Sequence, residues 1–224
     1  MEPLEKQEYK GYTIEVHQDE DPENPAKDFD DTVKYACLHG RYDLGTVDLS
    51  TVEDVDEHLK ETRAIAYPLY LMDHSGLSLS IDASAFRACD SAGWDWGMLG
   101  FVFMEREDIL NEYRVKILTK NVKEKVRTRL QHSVETYSAY LGGSVYGFLI
   151  NEHEGETASS CWGFYDMEEC IQEARSDVDY REEERIIEEA VELQIRKAQH
   201  TRRLKQHIRH RVPLRCRVPF NVGE

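Results

Sequence analysis

The sequence predicts an α+β fold: an antiparallel, hairpin-rich sheet packed with helices and extended by a long charge-segregated C-terminal helix. Three observations carry this expectation. Short strand patterns are joined by turn residues and not by regular helical crossovers. Apolar residues recur at helical spacing from Val122 to Leu141. Residues 167–211 contain neither Gly nor Pro, and Pro213 and Pro219 follow. A chain of 224 residues fits one domain with an appendage. Residues 1–180 therefore read as a globular α+β domain, 181–212 as a helical arm and 213–224 as a tail.

In chain order, Gly11–His17 alternates apolar Tyr12, Ile14 and Val16 with polar neighbours, the period of a strand with one wet face. Residues 19–31 are acidic, hold two prolines and lack periodicity, so they read as an exposed loop. Thr32–His39 is a second short strand. Ser50 with Glu53 suits a capping box for a helix carrying Val52, Val55 and Leu59. Tyr67–Met72 and Leu77–Ile81 flank Asp73-His74-Ser75-Gly76, as in a hairpin. Met98–Met104 is apolar without alternation, which suits a central strand covered on both faces. A short helix near Glu107–Tyr113 precedes the stripe Val122, Val126, Leu130, Val134, Tyr137, Leu141, which stops at Gly142-Gly143. Ser144–Asn151 and Thr157–Tyr165 form a second hairpin. Asp166 then caps a helix with Met167, Cys170, Ile171, Ala174 and Val178 on its inner face.

Charge is blocked along the chain. The net formal charge is −16, yet residues 1–60 hold 17 acids and 6 bases, 151–200 hold 15 and 5, and 201–224 hold 1 and 7. Acidic blocks repel nucleic-acid backbones and attract basic protein surfaces, so nucleic acid is expected only at the basic C-terminal tail. Between Glu168 and Glu192 there are 11 acids and 3 arginines. At about 1.5 Å per residue this is far more dilute than the charge of a duplex, so one helix alone does not imitate DNA. No run approaches the length of a membrane helix, and the N-terminus lacks an apolar signal core. The expectation is a cytoplasmic protein with no membrane contact. Five cysteines without a CxxC pair argue against both a disulfide framework and a structural zinc site. Walker A, GxGxxG and HExxH patterns are absent, which disfavours the common nucleotide and metalloprotease enzymes; no cofactor and no metal are expected.

The blocks PLYLMDHSGLSLS (68–80), CDSAGWDWGMLGFVF (89–103), VETYSAYLGGSVYGFLI (134–150) and SCWGFY (160–165) resemble a family of accessory proteins encoded by bacterial phages, plasmids and integrative elements. The resemblance covers roughly residues 65–180, extends loosely to CLHGRYDLG (37–45), and leaves out the basic tail. Members usually carry a small residue where this chain has Trp96. The family has no established function and transfers no site residues. It implies a context, host takeover or evasion of host defence.

Asp73, His74 and Ser75 are the residue types of a nucleophilic triad, but sequential turn residues point apart and turn chemistry accounts for them. His74 with a distant acid, Asp82, Asp90 or Asp95, is the better catalytic reading, although no spacing makes those groups meet. Cys37-x-His39 and His207-x-x-His210 offer two metal ligands each without a completing partner. Aromatic residues including Trp94, Trp96 and Trp162 lie on or beside strands carrying Gly97, Gly100, Gly147 and Gly163. Such glycines admit either a ligand or a ring packed on bare backbone.

These features predict a binding protein that engages a host protein through acidic and aromatic surface, with His74, Trp94, Asp95, Trp96 and Trp162 as candidate binding residues. A Gly/aromatic pocket near His74 that sequesters or acts on a nucleotide-like small molecule is the alternative, and nucleic acid held by the tail is another. The arm, with Ile187, Val191, Ile195, Arg202 and Arg203, is expected to support a homodimer.

Overall fold

The structure, a computed structural model, describes residues 2–29, 31–152 and 156–211, with side chains through residue 205. The elements run β1 (Glu5–Tyr9), β2 (Tyr12–Gln18), β3 (Lys34–Cys37), α1 (Val52–Thr62), β4 (Ile65–Asp73), β5 (Leu77–Ser80) and α2 (Ala83–Cys89). They continue with β6 (Trp96–Met104), α3 (Arg106–Glu112), α4 (Lys120–Leu141), β7 (Tyr146–Asn151), β8 (Thr157–Phe164) and α5 (Met167–Arg211). The fold is α+β, with two antiparallel four-stranded sheets in the orders β1-β2-β7-β8 and β3-β6-β4-β5. The chain divides into two compact units, Met1–Ala174 and Arg175–Glu224. The expected tail at 213–224 lies outside the described residues.

β6 is the centre of the second sheet, and both its faces are covered. Leu99, Val102 and Met104 join a core with Tyr35, Leu69 and Leu79 from the other strands and Val126, Leu130, Val134 and Tyr137 from α4. On the opposite side Phe103 packs with Ala36 and with Val55 of α1, flanked by Phe101 and Leu59. The α4 stripe is buried from Val122 to Tyr137, as its spacing predicts. Thr119 caps that helix by accepting the N–H of Val122. In the first sheet Ile14 and Val16 of β2 and Phe148 and Ile150 of β7 are fully or almost fully buried. Cys170, Ile171 and Ala174 at the start of α5 are buried as well, behind Asp166, whose carboxylate accepts the Glu169 N–H at 2.9 Å. Burial pushes the Cys170 thiol up to about 12.

One local expectation is corrected, and two elements, β1 and α2, were not anticipated by the sequence. The cap of α1 is Thr51, which accepts the Asp54 N–H at 3.1 Å, and not Ser50. Strand β1 has no apolar alternation, because it is an edge whose Lys6 reaches Glu15 on β2 at 2.8 Å. It turns into β2 through Lys10 and Gly11, both at positive φ (47° and 89°), the geometry of a two-residue hairpin turn. Helix α2 has one buried side chain, Phe86, too little for a periodic signal; Asp82 starts it by accepting the Ser84 N–H.

The strand glycines separate into two kinds. A Cβ on Gly147 would sit 2.2 Å from the Trp162 ring, and one on Gly100 would sit 1.9 Å from the Ala36 carbonyl oxygen. These positions need bare backbone for close packing. A Cβ on Gly97 or Gly163 would meet nothing within 4 Å.

Candidate functional site

The pairing of β4 with β6 runs to Met72 opposite Trp96, and the Asp73 N–H then donates to the Asp95 carbonyl at 2.8 Å. That register sets the β4–β5 hairpin tip beside the turn that precedes β6. A third segment arrives from β3: the Leu38 N–H donates to the Leu99 carbonyl at 2.8 Å and starts the loop that carries His39, Arg41 and Tyr42. The three segments meet around an open cleft of about 350 Å³ lined by His39, Arg41, Tyr42, Asp73, Trp94 and Asp95, among others. This volume lies at the small end of the range for ligand sites.

The turn at 90–95 is built on one carboxylate. Asp90 accepts the N–H groups of Ala92 (3.0 Å), Trp94 (2.6 Å) and Asp95 (3.0 Å), and its carbonyl accepts the Trp96 indole N–H at 2.8 Å. Those donated N–H groups, that of Asp95 first, hold the Asp90 carboxyl below the usual range. Gly93, at φ 73°, takes the left-handed corner such a tight turn needs. Trp96 is spent on structure: its ring lies edge-on to Tyr70 and under the Arg87 guanidinium. Trp94 is left 87% exposed on a backbone fixed by its neighbours.

His74 Nδ1 donates to Asp95 Oδ2 at 2.7 Å. Asp73 faces another way and accepts the Tyr42 hydroxyl, an interaction that raises the Tyr42 pKa, with Arg41 at 3.7 Å from the same oxygen. The sequential Asp73, His74 and Ser75 therefore do not converge as a triad. Of the three acids weighed for His74, Asp95 meets it, Asp82 caps α2 and Asp90 holds the turn. With Nδ1 engaged, Nε2 is the ring nitrogen left to face other groups, the arrangement in which a carboxylate orients an imidazole.

Trp162 stands apart from this constellation. It lies on β8 of the other sheet, folded over Gly147, and its ring centroid is 6.4 Å from that of buried His17. The Cys37–His39 pair serves its loop: Cys37 Sγ donates to the Tyr42 carbonyl at 3.2 Å, and His39 Nδ1 accepts the Arg41 N–H. Among the described residues no three His, Cys, Asp or Glu converge as a metal site. His207 and His210 lie outside the described side chains. No described helix is long and apolar enough to cross a membrane.

Arg41 and Tyr42 were not singled out by sequence; His39 was weighed only as a metal ligand and Asp73 only as a triad or turn residue. No local pattern marks Arg41 and Tyr42, because the β3–β6 pairing that carries their loop to the cleft is tertiary. No protein-family model, no curated protein and no solved structure matches the chain.

Proposed function

We propose that the chain acts by binding a protein partner, with Trp94 as the anchor and the carboxylates of Asp73 and Asp95 beside it as the polar frame. The observation that carries this reading is the contrast in the 90–95 turn. Four hydrogen bonds to Asp90 immobilise a backbone whose sole large apolar side chain, Trp94, is turned out to water. Ordering costs are already met there, and a rigid exposed Trp next to groups that exclude or orient water is the composition of an interface hot spot. The acids favour a partner that presents a basic group next to an apolar pocket. The resemblance to mobile-element accessory proteins supports a host protein in that role, as an inhibitor or an anti-defence factor.

The test compares wild type with Trp94→Ala in affinity capture from a bacterial lysate, followed by titration of the recovered partner. Capture by wild type and a loss of affinity of about tenfold or more in Trp94→Ala support the reading. Equal capture by both chains would refute it. A second reading is favoured by the His74–Asp95 pair at the cleft: a nucleotide-like small molecule stacked on Trp94 and held or processed through His74. A stoichiometric small molecule retained by wild type in native mass spectrometry, and lost in His74→Ala, would establish that reading instead.

A further inference from the structure

The second unit poses a separate question, independent of the cleft. Along α5 the side chains of Ile186, Ile187, Val191, Leu193, Ile195 and Leu204 are each about half exposed or more, between 49% and 62%. At about 100° per residue Ile187, Val191, Ala190 and Ala198 fall within about 60° of Gln194, and Ile186, Leu204, Leu193 and Ile195 lie on the flanks, about 80–100° to either side. Six large, half-exposed apolar side chains on one helix, centred on Ile187 and Val191, form a surface that folded proteins cover. Charge changes sign at the same point. Residues 182–189 hold Glu182, Glu183, Glu184, Glu188 and Glu189 against Arg185, and Arg196, Lys197, Arg202, Arg203 and Lys205 follow beyond Gln194.

We infer that residues 183–205 pair with the same segment of a second copy of this chain, antiparallel, about a two-fold axis at Gln194. Residue 194−k then faces residue 194+k of the other copy. Ala190 meets Ala198, which lets the backbones approach, while Leu193 and Ile195 flank the seam on its two rims. Lys205 meets Glu183, and Arg202, level with Ile186, lies between Glu184 and Glu188. Gln194 meets itself on the axis, where two amides hydrogen-bond and fix the register, as a single buried polar residue does in coiled coils. The self-complementarity selects the occupant: an isologous antiparallel contact matches acidic half to basic half twice, whereas a parallel one stacks like on like. The existing ion pairs along the helix, Arg181 to Asp177 at 2.9 Å and Arg196 to Glu192 at 3.0 Å, hold it helical before it pairs.

The experiment uses the full chain. Sedimentation velocity across micromolar concentrations should show a dimer, and Ile187→Glu with Ile195→Glu should weaken self-association by at least about tenfold. Both positions are exposed, so the melting of the first unit should stay unchanged. For orientation, chains carrying Ala190→Cys and Ala198→Cys are mixed and oxidised, with wild type and its five cysteines as background; a 190–198 cross-link should dominate. A monomeric full chain, a double variant as dimeric as wild type, or a dominant 190–190 cross-link would each overturn the inference. So would a monomer whose arm engages only added duplex DNA.

Discussion

Gly100→Ala and Gly97→Ala add the same methyl group to the same strand, three residues apart, and the structure assigns them opposite outcomes. At Gly97 the new Cβ meets nothing within 4 Å, whereas at Gly100 it would lie 1.9 Å from the Ala36 carbonyl oxygen. Ordinary contact begins at 3.4 Å, so β3 would have to withdraw from β6 by about 1.5 Å. The Leu38 N–H to Leu99 carbonyl bond is 2.8 Å, and lengthening it by that amount ends it as a hydrogen bond. One or two ladder bonds at about 1 kcal/mol each, together with about 1–3 kcal/mol of overpacking, give a loss of about 2–5 kcal/mol. In a chain of this size that corresponds to a melting temperature lower by about 4–20 °C. Gly97→Ala should stay within about 0.5 kcal/mol of wild type. Because β3 delivers the 39–42 loop, Gly100→Ala should also disturb Tyr42 at Asp73. Thermal unfolding by circular dichroism measures both variants, and Gly100→Ala melting with wild type, or below it no further than Gly97→Ala, would refute the close-approach argument.

Leu130→Ala empties a fully buried site in the α4 core and should cost about 2–5 kcal/mol in chemical denaturation; an unchanged midpoint would mean that the stripe does not pack as described. His74→Ala removes one member of an exposed pair and should change stability by less than about 0.5 kcal/mol. The same variant should leave protein binding anchored on Trp94 within about threefold, so titration separates it from Trp94→Ala. The Asp90 carboxyl is depressed in the folded chain. Its contribution to the turn is therefore complete above the ordinary value of 3.8 and is lost as pH falls through the lower folded value. The Trp94 amide resonance should stay fixed from neutrality to about pH 5 and move only below the ordinary value; a midpoint near that of histidine would assign the turn to another group.

Most elements were legible because their residues obey a local period. The α4 stripe, the unalternating β6 run and the Asp166 cap each contain their own evidence, and each forms at the expected place. What escaped notice has no local apolar signal. Strand β1 exists because an adjacent strand supplies its hydrogen bonds, α2 because Asp82 starts it and Phe86 anchors it, and the choice of Thr51 over Ser50 is decided by which hydroxyl reaches Asp54.

The site was legible only as parts. His74, Trp94, Asp95 and Trp96 were singled out by residue type, yet the meeting of His74 with Asp95 depends on a pairing register between β4 and β6 that shifts at Leu69/Tyr70. Register in a sheet is set by tertiary packing, and a shift of one residue exchanges which side chains face each other. The irregularity at Leu69/Tyr70 thus acts on the site from the middle of the strands: Gly100 is opposite Leu69 before it, and Met98 opposite Tyr70 after it. Leu99 is the additional residue on β6, and the offset it introduces brings Met72 to Trp96 and the hairpin tip to Asp95. The glycine that accepts β3 closely and the bulge that aims His74 are adjacent on one strand. The cleft's geometry is therefore encoded in part at Leu99, which lines it, and at Gly100 beside it, four and five residues from Asp95 and in positions that carry no polar chemistry of their own.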